Sequence, residues 1–337
     1  MNKLYVILVS LGLVGAILGS LGGMFSSASA APTAVWYVDA ATGSDSNDCQ
    51  SMGTACATIT EAVDKAVAGD TIEIAAGTYY EHDIIVHKEL TLHGAGPEST
   101  IVDGGENGRL FQIGSIVTIT DLALQNGRTS AGDAFDEGGG AILFTGTSLT
   151  LQNVTLIDNY ALRNGGAIFN NGALFLQNTR VLSNTAAGIG GGLYNYNLGT
   201  ISVTQSIISH NTAVGIQGGG IYAGGKALDV QNSTIAYNSA ATFGGGILAS
   251  FDGPTTLDGV TLIGNEASSG AAFFSQTGSI TATNTTVSKN NATNNYGGFY
   301  VSGPNTSLFV QNSTIAENSR TNTAGNGFNG IMRGNNA

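Results

Sequence analysis

Apolar and polar residues alternate in short runs along most of the chain. In LTLQNVTLIDN (149–159), Leu149, Leu151 and Leu156 fall on one side, and Thr150, Gln152 and Thr155 on the other. A period of two over a few residues marks a half-buried strand. The same columns hold Leu228, Val230 and Ile235, then Leu308, Val310 and Ile315. No unit shows the ten-residue apolar period of 3.6 that a helix needs, so helical solenoids are excluded.

The strands recur with a fixed spacing. The large apolar residue after each small-residue run falls at Ile142, Ile168, Leu193, Ile221, Ile247, Phe273 and Phe299, at spacings of 26, 25, 28, 26, 26 and 26. An Asn follows the last strand of each unit: Asn159, Asn184, Asn211, Asn238, Asn265, Asn290 and Asn318, at spacings of 25, 27, 27, 27, 25 and 28. Two independent markers keep one period, so the chain is a repeat protein. A propeller blade needs about 40 residues or more, whereas a coil of three short strands fits 26. The expectation is an all-β, right-handed parallel β-helix of about ten coils, with each coil buried against its neighbours. Glycines would sit where the backbone bends sharply. The seven Asn would stand at bends, tolerate left-handed backbone and bond to one another in a buried ladder. A second column, Asn153, Asn178, Gln205, Asn232, Gly259, Asn284 and Asn312, breaks at Gly259 and reads as less exacting.

Fainter turns precede the clear repeats, which begin at 138. VTITDLALQNG (117–127) aligns with LTLQNVTLIDN, and strand-length runs extend back to 70. In 31–69 a disulfide loop and then a helix are predicted before the first coil. Thr58 and Glu61 have capping-box spacing. Ile59, Ala62, Val63, Ala66 and Val67 form one apolar face, and Gly69 is a stop. Such a helix would cover the open strand edges of the first coil.

These segments carry a resemblance. AVDKAVAGDTIEIAAGTYYE and LTLHGAGPESTIVDG resemble the cap and first coils of the pectin lyase-like right-handed β-helix class. The later repeats resemble those of chlamydial polymorphic outer membrane proteins, whose signature alternates GGA[ILV] with FxxN. GGAI stands at Gly139–Ile142 and Gly165–Ile168, and LIDNYA, VLSNTA and IAYNSA match the second element with Leu, Val or Ile in place of Phe. The resemblance covers about residues 70–335 and implies an architecture, with a surface or secreted adhesin-like role facing glycans or proteins. The wider class also implies an alternative, a polysaccharide lyase or glycoside hydrolase. Its lyases pair calcium-binding carboxylates with a basic residue, and its hydrolases cluster Asp on one strand face.

Composition narrows the choice. The 337 residues include 50 Gly but only 4 Pro, so the chain is not collagen-like. Net charge is −12 with 11 basic residues, which leaves no footprint for nucleic acid. Residues 1–30 read as a signal peptide: Lys3, a long apolar run, and small residues before a cleavage after Ala30. An uncleaved membrane anchor is the competing reading, since the run is long enough to span a bilayer. No later stretch could span one, so the protein is expected to be exported, extracellular or at the cell surface. Cys49 and Cys56 would then form one disulfide. The competing metal site lacks nearby His ligands. The sequence stops at GFNGIMRGNNA, with Phe328 and Ile331 as inward residues of a further unit. An open last coil would fray or self-associate through its free edges.

Chemistry is sparse. Asp229 and Asp258 occupy outward columns two residues and one coil apart, roughly 8 Å between Cα atoms, compatible with carboxylates flanking a glycosidic bond. Two solvated acids explain them as well. Asp133, Asp136 and Glu137 crowd one loop where hard oxygen ligands would suit calcium, or where they would be a solvated acidic loop. Asp39, Asp45 and Asp48 offer the same pair of readings. Beyond calcium no cofactor is expected. His82, His87, His93 and His210 do not converge on one another.

Overall fold

The computed structural model describes residues 33–130, 138–303, 305–322 and 330–334. Residues 1–30, expected to be a signal peptide, and the acids Asp133, Asp136 and Glu137 lie outside the described residues, as does Phe328. Within them the alternation forms strands as expected. The chain winds as a right-handed parallel β-helix with three sheet faces. Sheet A has 19 strands, sheet B 10 and sheet C 7, and the pairings between strands are parallel. A typical coil contributes Ile168–Asn170 to sheet B, Ala173–Gln177 and Arg180–Leu182 to sheet A, and Thr185–Ala186 to sheet C.

Register is fixed by burial. Ile142, Ile168, Leu193, Ile221, Ile247, Phe273 and Phe299 stack in one inward column, each with 0% exposure. Leu149, Leu151 and Leu156 point into the same core. A one-residue slip would turn every one of these side chains to solvent.

The Asn ladder is present across all seven positions. Each amide from Asn159 to Asn290 donates to the next Asn side chain at 2.8–3.0 Å. The left-handed residue is, however, the one before each ladder Asn: Asp158, Ser183, His210, Tyr237, Gly264, Lys289 and Glu317 have φ between 54° and 64°. The ladder Asn is chosen for its amide and its neighbour for the bend. At the other corner the division is reversed. Asn153, Asn178, Gln205, Asn232, Gly259, Asn284 and Asn312 are all left-handed, φ 48–65°. Gly259 is therefore no break, because the column is selected for backbone conformation and Gly meets that requirement most easily. Behind it runs a hydroxyl ladder, in which Thr179 N–H donates to Ser206 Oγ and Ser206 N–H to Ser233 Oγ, both at 3.0 Å. The small-residue run has one conformational demand: Gly165 has φ 67°, and a Cβ there would lie 2.2 Å from the Ile168 carbonyl.

The N-terminal end departs in detail from the expectation. The helix forms over Ile59–Lys65, with Ile59, Ala62 and Val63 buried and Thr58 Oγ1 accepting from Glu61 N–H. The reciprocal half of the capping box is taken elsewhere. Glu61 pairs with Lys65 at 2.9 Å, Asp45 accepts Thr58 N–H, and the Glu81 carboxylate accepts the N–H groups of Ile59 and Thr60. Val67 lies past the helix end and is exposed. Before the helix, Val35–Val38 is already a strand of sheet A, paired with Asp70–Ile74. Its other edge is covered by the disulfide-closed segment: Tyr37 N–H donates to Cys49 C=O, and Cys56 N–H to Tyr37 C=O, both at 2.8 Å. Cys49 and Cys56 are bonded, with Cα atoms 5.0 Å apart. Among the described residues no helix is long and apolar enough to cross a membrane.

Candidate functional site

The outward positions of sheet A form two columns. One runs Thr71, Thr91, Thr118, Thr150, Phe175, Ser202, Asp229, Thr256, Thr281 and Phe309. The other runs Tyr37, Glu73, His93, Thr120, Gln152, Gln177, Thr204, Gln231, Asp258, Thr283 and Gln311. Most of these are small hydroxyls and amides. The chemistry that stands out lies in the first three coils.

Glu73 and His93 are register partners on Asp70–Ile74 and Leu90–Gly94. Parallel pairing places the two side chains one above the other, and His93 Nδ1 lies 2.8 Å from Glu73 Oε2. Asp121 follows Thr120 at the left-handed corner of the next coil, φ 58°, and its Oδ2 lies 3.5 Å from His93 Nε2. The bend at Asp121 turns its carboxylate back toward the preceding coil. The other Asp121 oxygen accepts from Asn153 Nδ2 at 2.6 Å. The imidazole therefore stands between two carboxylates while remaining 45% exposed.

Beside it opens a cleft of about 290 Å3 between sheet A and the disulfide-closed segment. Tyr37, Met52, Ala55, Ile74 and Ala95 form its apolar walls, and Asp39, Glu73 and His93 its polar groups. Asp39 is held below its ordinary pKa by the Thr42 hydroxyl and the Ala41 N–H. No Lys or Arg lines the cleft. The arrangement can bind a small, mostly neutral body by apolar contact and exchange a proton with it through the imidazole.

The four His residues indeed do not converge on one another, but His93 converges with two acids. That cluster was overlooked in the sequence. Aligning TIEI, LTLH and VTITD coil on coil puts Glu73 and His93 in one column and Asp121 one position beyond it.

The acids singled out in the sequence are placed differently. Asp229 and Asp258 do occupy outward columns on successive coils, with Gln231 directly opposite Asp258. Gln231 Nε2 donates to Asp229 at 2.7 Å, while Thr283 Oγ1 and Asn284 Nδ2 donate to Asp258 at 2.7 and 2.8 Å. The Thr283 and then the Asn284 bond hold Asp258 below its usual pKa. No cation pairs with either acid among the described residues, so each is explained by neutral neighbours. Asp39, Asp45 and Asp48 tie down the disulfide segment: Asp45 accepts from Ala57 N–H and Thr58 N–H, and Asp48 from Gln50 N–H and the Thr54 hydroxyl. Among the described residues no group of three side chains is arranged to hold a metal ion.

No protein-family model and no curated protein matches the chain. Solved structures similar to it include the pectin methylesterase of Aspergillus niger in deglycosylated form, at 14% identity, covering 91% of each chain with a TM-score of 0.46. The pectin methylesterase PemA of Erwinia chrysanthemi is 12% identical over 80% of this chain and 81% of its own, with a TM-score of 0.38. A GH136 lacto-N-biosidase from Eubacterium ramulus is 9% identical over 85% and 66%, with a TM-score of 0.40. At such identities no residue role transfers.

Proposed function

We propose that this is an exported, carbohydrate-active β-helix protein whose chemistry is proton transfer at His93. The observation that supports it is the Glu73–His93–Asp121 row, of which Glu73 and His93 line the cleft. A convergent set of acids with one basic side chain on one face is what separates an enzyme of this architecture from a passive surface. Glu73 accepts the Nδ1 proton and orients the ring, so Nε2 is the nitrogen that gives or takes a proton. Carboxylates at the rim can accept from sugar hydroxyls, and Tyr37 offers an aromatic wall. With no cation in the lining, the unit bound is an uncharged sugar. The reaction is a hydrolysis or elimination in which His93 acts as general acid or base. Export is supported by the disulfide, which suits an oxidising compartment.

A screen against neutral and acidic polysaccharides, with and without calcium, tests the reading. Activity on a neutral glycan is expected, and His93→Gln should lower kcat by about 10²-fold or more. Full activity in His93→Gln would sink the assignment. The second reading is an adhesin-like glycan binder of the kind the GGAI repeats resemble, favoured by the long outward columns of Thr, Ser and Gln. It predicts saturable glycan binding without turnover, unchanged in His93→Gln.

A further inference from the structure

The two sides of the His93 ring are not equivalent. Nδ1 makes a bond of 2.8 Å to Glu73, whereas Nε2 faces Asp121 across 3.5 Å. A carboxylate beside an imidazole would normally close to about 2.7–2.9 Å in a charge-assisted hydrogen bond. Asp121 is held back by its other partner. Asn153, one coil on, donates its amide to Asp121 Oδ1 at 2.6 Å. The amide cannot simply turn over, because Asn153 Oδ1 itself accepts from Asn178 Nδ2 at 3.2 Å. With its oxygen claimed from one side, the NH2 end must face Asp121. All three residues sit at the same left-handed corner of successive coils, φ 58°, 53° and 49°.

We propose that Asn153 is a positioning residue that keeps Asp121 off His93, so that Nε2 stays available for proton transfer. The inference concerns the site of the preceding section, but its test does not depend on finding a substrate. Asn153→Gly removes the amide and keeps the corner, since Gly259 holds the same column at φ 65°. Freed, Asp121 swings onto His93 and accepts the hydrogen bond of Nε2–H, which ties that nitrogen up.

Diethyl pyrocarbonate reads this directly. It transfers its ethoxycarbonyl group to a free imidazole nitrogen, releasing ethanol and carbon dioxide, and peptide mass spectrometry follows each His separately. His82, His87 and His210 serve as internal references. In Asn153→Gly, acylation of His93 should slow about tenfold, the factor that corresponds to a gain of roughly 1.4 kcal/mol in one charge-assisted bond. Asn178→Gly, which frees the Asn153 amide to turn, should slow it less. The double variant Asp121→Ala with Asn153→Gly should react as fast as Asp121→Ala alone, because Asn153 acts through Asp121. An unchanged His93 rate in Asn153→Gly would overturn the proposal. So would equal slowing in the Asp121→Ala background. Where turnover is measurable, Asn153→Gly should lower kcat and leave KM unchanged. Loss of turnover in His93→Gln alone would uphold the site while removing Asn153 from it.

Discussion

Replacing Asn238 by Ala removes one rung from the middle of the ladder. Its side chain makes four hydrogen bonds: Oδ1 accepts from Asn211 N–H at 3.0 Å and Asn211 Nδ2 at 2.9 Å, and Nδ2 donates to Ile208 C=O at 2.9 Å and Asn265 Oδ1 at 3.0 Å. Two partners keep another bond: Asn211 Nδ2 retains the Val181 carbonyl, and Asn265 Oδ1 retains Asn238 N–H. The Asn211 N–H loses its acceptor at a residue with 0% exposure. An orphaned buried donor costs about 1–3 kcal/mol, and the weakened contacts and small void add about 1 more. The expected loss is about 2–4 kcal/mol, or a urea midpoint lower by about 1 M at a slope of about 3 kcal/mol/M. Long repeat arrays can unfold in parts, so hydrogen exchange at the Asn211 amide should be followed alongside the melt and should accelerate. Asn232→Gly is the control. It lies at the corner where Gly259 already stands, and should change stability by no more than about 0.5 kcal/mol. Coincident midpoints for Asn238→Ala and the parent, or equal damage from Asn232→Gly, would show that the amide ladder does not hold the coils together.

Asp70 should make stability depend on acid pH. Burial alone would raise its pKa, but bonds from Val67 N–H, Trp36 Nε1 and Ala34 N–H hold it below its ordinary value. Its stabilisation is then complete above the unfolded value of about 3.9 and lost as pH falls through the lower folded value. Urea midpoints of parent and Asp70→Asn should differ at pH 7 and converge well below pH 4, and a gap that persists at pH 2 would contradict this. Removing the disulfide as Cys49→Ser with Cys56→Ser opens a loop of eight residues, from a separation of 7, and should cost about 2.5 kcal/mol on chain-entropy grounds. It should also raise KM, because Met52 and Ala55 line the cleft; an unaltered KM would show that this wall does not touch substrate. Asp258→Asn should leave any turnover intact, as its partners Thr283 and Asn284 are neutral, and abolished activity would move the chemistry to the middle coils.

The periodic part of the structure was legible because each of its constraints repeats. Leu149, Leu228 and Leu308 answer the same inward position, and seven Asn answer the same buried turn, so one column corroborates the next. Buried amides at Asn170 and Asn195 were not legible. They face inward at 0% exposure where other coils carry Phe144, Ala223 or Val301, and Asn170 Nδ2 bonds Asn195 Oδ1 at 2.7 Å. Two members make no visible period. The left-handed bends were placed one residue late at the ladder corner, because Asp158, Ser183, His210, Tyr237 and Lys289 share no side-chain type. Conformation there is imposed by the coil above and below rather than advertised by composition. The first strand, Val35–Val38, was read as part of a loop, since its partner lies 36 positions on, beyond the disulfide and the helix.

The same reasoning supports the proposed site. From Thr120 to Gln311 the second outward column holds, apart from Asp258, only Thr and Gln, residues that satisfy a solvated strand face and do little else. In the first coils that column carries Tyr37, Glu73 and His93, followed by Asp121 at the corner. These residues gain nothing from the repeat: neighbouring charges on a strand face contribute at most about 1 kcal/mol at this exposure. Local stability therefore does not account for them, whereas it does account for Asn159 or Leu151. Positions that depart from the rule a fold otherwise obeys are where function is expected. The disulfide segment makes the same point from the other side. Covering the edge of Val35–Val38 requires the backbone contacts at Cys49 and Cys56, but not the excursion of Met52, which is 79% exposed above the cleft. An exposed apolar side chain in the wall of the cleft that His93 also lines is costly as packing and sensible as the lip of a binding site.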